Sequence, residues 1–150
     1  MQKIAQLCYY QDMTATDDTF PTLRDLACEL GQVQIQWSFL EGEMRRQLAA
    51  FDEQKRVLRG PVISHWRAHA QRLCAEQSVM VEHLNEVERI ARMRNLLSHG
   101  IELASADPRK NATALIVCID AEGTAHTLTI DDIRELAEEI DRVRRSIRFG

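Results

Sequence analysis

The chain has 150 residues, of which 45% are hydrophobic and 28% are charged, and this composition predicts one folded domain with a real core. No apolar run approaches the ~20 residues of a membrane span, and the N-terminal segment lacks the basic and apolar regions of a signal peptide. We therefore predict a cytoplasmic protein with no membrane partner. The net charge of −4 argues against a protein that holds polyanions through bulk charge.

Arginine is much more frequent than lysine, with 16 Arg against 3 Lys. Arg89, Arg92 and Arg94 fall within six residues of each other. The planar fork of Arg suits bidentate contacts to phosphate or carboxylate better than the Lys ammonium does. Most of the arginines are nevertheless expected on solvated helix faces, paired with nearby Glu residues.

The four cysteines lie far apart and form no CxxC pair that could begin a zinc or redox site. We predict that they are reduced and mostly buried, and that the protein uses no metal and no cofactor. They are Cys8, Cys28, Cys74 and Cys118.

Residues 1–21 carry little pattern and are predicted to form an N-terminal extension of a helical domain that spans residues 22–150. After Pro21, apolar residues recur three and four positions apart as far as Phe51, which predicts one long helix over about residues 22–55. Ile35 and Phe39 lie off this stripe and give the helix a second apolar edge. One edge can pack inside the domain, and the other can face a second copy of the chain.

A break at Arg59–Pro61 separates the first helix from two further helical stripes. The second helix is marked by Val62, Trp66, Ala70 and Leu73. The third runs through Met80, Leu84, Val87 and Ala91 and is predicted to end at Gly100.

The hydrophobic period then changes. Residues 101–111 are predicted to be a polar loop, followed by a β-branched strand over 114–119, a turn over 120–123 and a returning strand over 124–128. Thr129 is a good N-cap for a last helix, and with Asp132 at N3 the sequence is close to that of a capping box. The predicted fold is mainly α: a four-helix bundle with a β-hairpin inserted before the last helix.

Arg94 occupies a position on the third helix where the apolar stripe requires a hydrophobic residue. An uncompensated buried guanidinium is costly, so Arg94 either pairs internally or points into a cleft. Glu41, beside the apolar stripe of the first helix, is the expected internal partner.

His99 is predicted to end the same helix, next to Gly100. The negative end of the helix dipole stabilises an imidazolium there by up to ~1–2 kcal/mol, which suits a general acid or base. Asn95 lies four residues earlier on the same face and can orient the ring. Arg94 and His99, however, are separated by roughly 140° around an ideal helix, so a compact site needs the reach of Arg, a tightened last turn or a second chain.

The segment Arg94–Gly100, RNLLSHG, resembles the Arg-x4-His motif of HEPN domains, including the polar residue that often follows the arginine. The order of elements is also similar to that of stand-alone bacterial HEPN proteins: a long first helix carrying residues 37–41, a helical pair that ends in the motif, a hairpin and a final helix. The resemblance covers residues 22–148.

This resemblance implies a homodimer in which two motifs face each other across a cleft and cleave RNA without a metal. His99 would be the general acid or base in attack of a ribose 2′-OH on the adjacent phosphate, giving a 2′,3′-cyclic phosphate. Arg94 would hold the phosphate and stabilise its charge, and Asn95 would position either residue. Ser98 and Glu41 are expected to support the site. A toxin or defence role, held in check by an antitoxin or another regulatory protein, follows from the same analogy.

One position departs from the family. HEPN toxins that are paired with nucleotidyltransferase antitoxins carry Tyr two residues after the His, whereas this chain has Ile101. We therefore do not predict that pairing. The alternative function is a non-catalytic helical dimerisation or regulatory module, in which Arg94 belongs to a structural ion pair and His99 caps a helix.

Two other histidine arrangements are interpreted as structural. His65 and His69 have a spacing that can hold a metal, but Trp66 stands where a HExxH motif needs Glu, so they are interpreted as surface or core-edge residues. His126, in the returning strand, is expected to be exposed rather than to take part in chemistry.

Overall fold

The computed structural model describes residues 20–51, 60–73, 78–110 and 113–147. These residues form four helices and a three-stranded antiparallel sheet. The predicted extension 1–21 lies almost wholly outside the described residues. In chain order the elements are α1 (Leu23–Phe51), α2 (Val62–Leu73), α3 (Ser78–His99), β1 (Ile101–Ser105), β2 (Leu115–Ile119), β3 (Ala125–Thr129) and α4 (Ile130–Ser146).

The long first helix is confirmed over Leu23–Phe51, while its predicted last residues, 52–55, lie outside the described residues. Its beginning is fixed by a reciprocal cap. The Thr22 hydroxyl accepts from the Asp25 backbone N–H, and the Asp25 carboxylate accepts from the Thr22 N–H at 2.7 Å. Two orphan donors of the first turn are thereby satisfied. The predicted apolar stripe of α1 is buried at Leu26, Val33, Trp37, Leu40 and Met44.

The core lies chiefly between α1 and α4, which make the most extensive contact between helices. Trp66 of α2 is fully buried against it, and its indole N–H donates to Gln47 Oε1 at 3.0 Å. Gln47 in turn donates to the Ile147 carbonyl at 2.6 Å. One amide thus joins α1, α2 and the end of α4. The buried residues of α4 are Ile130, Ile133, Leu136, Ala137, Ile140 and Val143.

The inserted hairpin is a three-stranded sheet, so the prediction of a polar loop over 101–111 was wrong for residues 101–105. The strand order is β1-β2-β3, with β2 in the middle. All five side chains of β1 are exposed, and its register shifts between Ile101 and Leu103. An edge strand this short, with no buried face and an irregular register, lacks the alternation of burial from which strands are predicted.

The predicted capping box of α4 is confirmed. The Thr129 hydroxyl accepts from the Asp132 backbone N–H, and Asp132 Oδ2 accepts from the Thr129 N–H at 2.7 Å. The Thr129 hydroxyl also contacts Asp132 Oδ2 at 2.7 Å, and the bonds that this carboxyl receives from the Thr129 side chain first, and then from the Thr129 N–H, hold its pKa below the usual value. The turn from β3 into α4 is therefore fixed by two residues. None of the helices in the described ranges is long and apolar enough to cross a membrane.

Candidate active site

The end of α3 is joined directly to the end of β2 through Gly100. The Gly100 N–H donates to the Leu96 carbonyl at 2.8 Å, and the Gly100 carbonyl accepts from the Ile119 N–H at 2.7 Å. A Cβ atom on residue 100 would lie 2.6 Å from the Ile119 carbonyl oxygen. The glycine is needed because two backbones meet here, while its φ lies outside the left-handed region. This junction brings His99 beside the turn that follows β2.

His99 is exposed and lines a cleft of about 730 Å³ between the end of α3 and the β2–β3 turn. No hydrogen bond or ion pair holds its ring within the described part of the chain. Arg92 and Asn95 line the same wall of the cleft, two turns and one turn before His99 respectively. A polar ligand in this cleft would meet an imidazole, an amide and a guanidinium from one helix.

Arg94 points away from this wall and packs against α1. Its Nη2 donates to Gln34 Oε1 at 3.3 Å, and its guanidinium carbon lies 5.3 Å from the centre of the Trp37 ring. Its Nε is buried and has no hydrogen-bond partner among the described residues. The charge on the apolar stripe is therefore accommodated by the side-chain amides of Gln34 and Asn95 and by an aromatic face.

The expected ion pair between Arg94 and Glu41 does not form. Glu41 accepts instead from the Trp37 indole N–H at 3.0 Å and lies 3.8 Å from Arg45. Arg94 and Glu41 are linked indirectly through Trp37, which donates a hydrogen bond to Glu41 and presents its ring face to Arg94. Glu41 thus supports the aromatic platform rather than the guanidinium itself.

Ser98 completes a hydrogen-bond network that connects the last turns of α3 to α1. Its hydroxyl donates to the Arg94 carbonyl and accepts from Gln34 Nε2, each at 3.0 Å. The same Gln34 side chain also accepts a hydrogen bond from Arg94, so one amide contacts both Arg94 and Ser98. Ser98 thus takes part in the contact between α3 and α1, and its support of a catalytic site stays a prediction.

Asn95 connects Arg94 to the cleft. Its Oδ1 accepts from Arg94 Nη1 at 3.2 Å, while the residue itself lines the cleft beside His99. Between Asn95 and His99, both within described residues, there is no hydrogen bond. The amide therefore orients the guanidinium and leaves the ring unconstrained.

The opposite wall of the cleft carries a pair that sequence reasoning missed, Asp120 and His126. His126 Nε2 lies 2.7 Å from Asp120 Oδ2, and the His126 side chain is 43% exposed. The hydrogen bond from His126, followed by the backbone bond from Thr124, lowers the pKa of the Asp120 carboxyl. The signal available in the sequence was an Asp at the start of a tight turn with a His on the returning strand.

His69, the second residue of the His65–His69 spacing, lies at the edge of the core. The His69 ring packs on Phe51, with centroids 5.0 Å apart, and its Nδ1 lies 3.1 Å from Arg72 Nη2. Burial first, and then the nearby Arg72 charge, lowers the pKa of His69. The described residues contain no group of three or more His, Cys, Asp or Glu side chains that could hold a metal ion. Of the cysteines that the structure describes, Cys118 is buried as expected and Cys28 is exposed.

Comparison of the chain with protein-family models, with curated proteins and with solved structures finds no match.

Proposed function

We propose that this protein is a metal-independent endoribonuclease of the HEPN type. The observation that carries the proposal is the position of His99 at the C-terminal end of α3, in a cleft that Asn95 and Arg92 also line. Among the described residues its ring has no hydrogen-bond or ion-pair partner. Arg94, at the first position of the motif, is joined to this wall through its hydrogen bond to Asn95. Arg94 thus reaches the wall of the cleft through Asn95, and His99 lies on that same wall.

The reaction is attack of a ribose 2′-OH on the adjacent phosphate. His99 transfers a proton as general acid or base, for which an exposed imidazole at a cleft is suited. Arg94 stabilises the negative charge on the non-bridging oxygens of phosphate. Asn95 positions Arg94. The products are a 2′,3′-cyclic phosphate and a 5′-hydroxyl, and the reaction requires no metal.

The active form that we propose is a homodimer. Arg94 packs on α1 while His99 faces the cleft, so the two side chains of one chain diverge, as their separation of about 140° on an ideal helix requires. A second copy can bring its own motif toward the same phosphate. Ile35 and Phe39, large apolar side chains that α1 leaves exposed, support a contact between two copies.

The biological role we propose is that of a toxin or defence effector acting on RNA in the cytoplasm. A nuclease of this kind needs to be kept inactive, so we expect an antitoxin or another regulatory protein as a partner. The mainly helical fold and the inserted sheet before α4 are compatible with a HEPN-like domain.

The test is incubation of purified protein with single-stranded RNA in EDTA. We expect cleavage by the wild type, and new 5′ ends that polynucleotide kinase labels without prior dephosphorylation. His99→Ala should reduce the rate by about 10²- to 10⁴-fold, the usual contribution of a general acid or base. His83→Ala is the matched control, because His83 lies on the same helix, outside the cleft. Unchanged cleavage by His99→Ala would overturn the assignment.

The alternative is a non-catalytic dimerisation or regulatory module, and one observation favours it. Arg94 is engaged by Gln34 and Trp37 in the manner of a structural arginine. If the module is correct, the protein forms a dimer and cleaves no RNA at any concentration tested, and Arg94→Ala weakens the fold.

A further inference from the structure

The cleft that contains His99 has a second imidazole on its other wall. His126 lines the cleft from β3, opposite the wall that the end of α3 forms. Its backbone is set by the sheet, since His126 is directly paired with the buried Cys118 on the central strand β2. The ring therefore projects from a rigid part of the domain rather than from a loop.

Asp120 is held in place by the turn that it begins. Its Oδ1 accepts from the backbone N–H groups of Glu122 at 3.1 Å and Thr124 at 2.8 Å. The Asp120 N–H donates to the Thr124 carbonyl, and the Asp120 carbonyl accepts from Gly123, whose φ is 82°. With Oδ1 occupied by the backbone, Oδ2 is the oxygen that remains for His126.

This carboxylate fixes the orientation of the His126 ring. With Nε2 at 2.7 Å from Asp120 Oδ2, the ring N–H on Nε2 is directed at the carboxylate. Nδ1 is then the nitrogen that can exchange a proton with a ligand. A carboxylate in this position selects one tautomer and one orientation of the ring, as in other carboxylate–histidine pairs.

We propose that His126 is the second acid–base catalyst of the cleft, donating a proton to the leaving oxygen while His99 accepts the proton of the 2′-OH. This rests on the proposed ribonuclease function. His126 is assigned the acid role because it has the carboxylate partner, whereas His99 has none within the described chain. Asp120 is a positioning residue that acts through the ring. The other charged groups at the cleft are Arg92 and Glu122.

The step is balanced without any co-reactant. The 2′-oxygen forms a bond to phosphorus as its proton passes to His99, and the bond from phosphorus to the 5′-oxygen breaks as His126 protonates that oxygen. The products are a 2′,3′-cyclic phosphate and a 5′-hydroxyl. Proton exchange with water afterwards restores both rings, so no redox change or metal is involved.

The competing interpretation is structural, since the same hydrogen bond also braces the β2–β3 turn. The two interpretations differ in how a variant responds to the leaving group. An RNA in which sulfur replaces the bridging 5′-oxygen expels a thiolate, which needs no protonation. A missing general acid is therefore rescued by that substrate, whereas a distorted site is not.

The experiment measures cleavage of an oligonucleotide with one ribonucleotide linkage, in its natural form and with the 5′-bridging sulfur, by the full chain. His126→Ala should cleave the natural linkage about 10²-fold more slowly or worse, and the sulfur linkage at nearly the wild-type rate. Asp120→Asn, which keeps an acceptor for the turn, should show the same pattern more weakly. His99→Ala should be slow on both linkages, and His83→Ala should match the wild type on both.

The outcomes separate the two proposals. A wild-type rate for His126→Ala on the natural linkage, or an equal loss on both linkages, would overturn the role of His126 while the ribonuclease assignment stands. If the wild type cleaves neither linkage, the proposed function fails, and this inference fails with it.

Discussion

Gly100 and Ile119 approach each other so closely that a Cβ on residue 100 would lie 2.6 Å from the Ile119 carbonyl oxygen. The same Cβ would also meet the Leu96 carbonyl at 2.9 Å, so backbone atoms surround the position. His99 precedes Gly100, and Asp120 follows Ile119. This contact therefore sets the distance between the two walls of the cleft.

We expect Gly100→Ala to disturb both stability and the site. Backbone atoms yield less readily than side-chain ends, so the substitution should lower the free energy of unfolding by about 1–3 kcal/mol, the usual cost of overpacking. Cleavage of RNA should fall as well, because α3 must move away from β2. Urea denaturation followed by far-ultraviolet circular dichroism gives the first quantity.

Gly31→Ala is the matched control. Gly31 lies within α1, and a Cβ there would meet no atom within 4 Å. Because Ala forms helix better than Gly, we expect this variant to gain about 0.5–1 kcal/mol. If Gly31→Ala lowers the free energy of unfolding as much as Gly100→Ala does, steric crowding at residue 100 is not the cause of the effect.

Arg94→Lys tests whether the guanidinium has a chemical role beyond its packing. Lys keeps the charge but lacks the planar guanidinium, which can bind a phosphate while it also donates to Gln34. We expect cleavage to fall by about 10²-fold, the scale for losing a donor to a charged transition state. The free energy of unfolding should fall by only about 1 kcal/mol, the scale of a cation–π contact.

The control for that prediction is Arg45→Lys, a conservative change on α1. Arg45 is exposed and pairs loosely with Glu41, so its replacement should change neither activity nor stability measurably. If the activity of Arg94→Lys falls only in proportion to the fraction of protein that is folded, Arg94 has a structural role and no chemical one.

The helices were predictable because their buried stripes are long and regular. The stripes of α1 and α4 and the cap at Thr129 needed only local information. The edge strand β1 was missed because all of its side chains are exposed, and its pairing with β2 is not a local property. Pairing across a sheet depends on partners that are distant in sequence.

The sequence allowed us to predict which residues belong to the candidate site, but it did not show which contacts they make. The apolar stripe of α3 showed that Arg94 is an anomaly, but it could not show how α1 is rotated about its axis. That rotation presents Trp37 and Gln34 to Arg94 and directs Glu41 to the indole N–H. The pair of Asp120 and His126 depends on the register of a hairpin, which the alternation of residues alone does not fix.

The cap of α4 predicts a definite dependence of stability on pH. The pKa of Asp132 is lowered in the folded state from an ordinary value of 3.8, chiefly by the Thr129 side chain. The cap's electrostatic contribution is therefore full above pH ~4–5 and is lost as the pH falls through the folded value. We expect Asp132→Asn to be less stable than the wild type at pH 7, and the difference to shrink toward pH 3.

Asp131→Asn is the control, because Asp131 lies in the same turn and its one ion pair within the described ranges is with the exposed Arg134. Its stability should follow the wild type closely at both pH values, since an exposed pair contributes little. A difference between the wild type and Asp132→Asn that stays constant with pH would contradict the assignment to the ionised carboxyl. The measurement is urea denaturation at pH 7, 5 and 3.

The last prediction concerns the face of α1 through which two copies are proposed to meet. Phe39 is 54% exposed on the same side of the helix as Ile35. Phe39→Glu places a charge there, and burying two such charges at a symmetric contact is costly. We expect the variant to remain folded and to become monomeric in sedimentation velocity, with a large loss of RNA cleavage.

Leu23→Glu is the matched control, since Leu23 is 53% exposed but lies about 160° around an ideal α1 from Phe39. A Phe39→Glu variant that stays dimeric would exclude this face, and an active monomer would show that one chain is sufficient for the site.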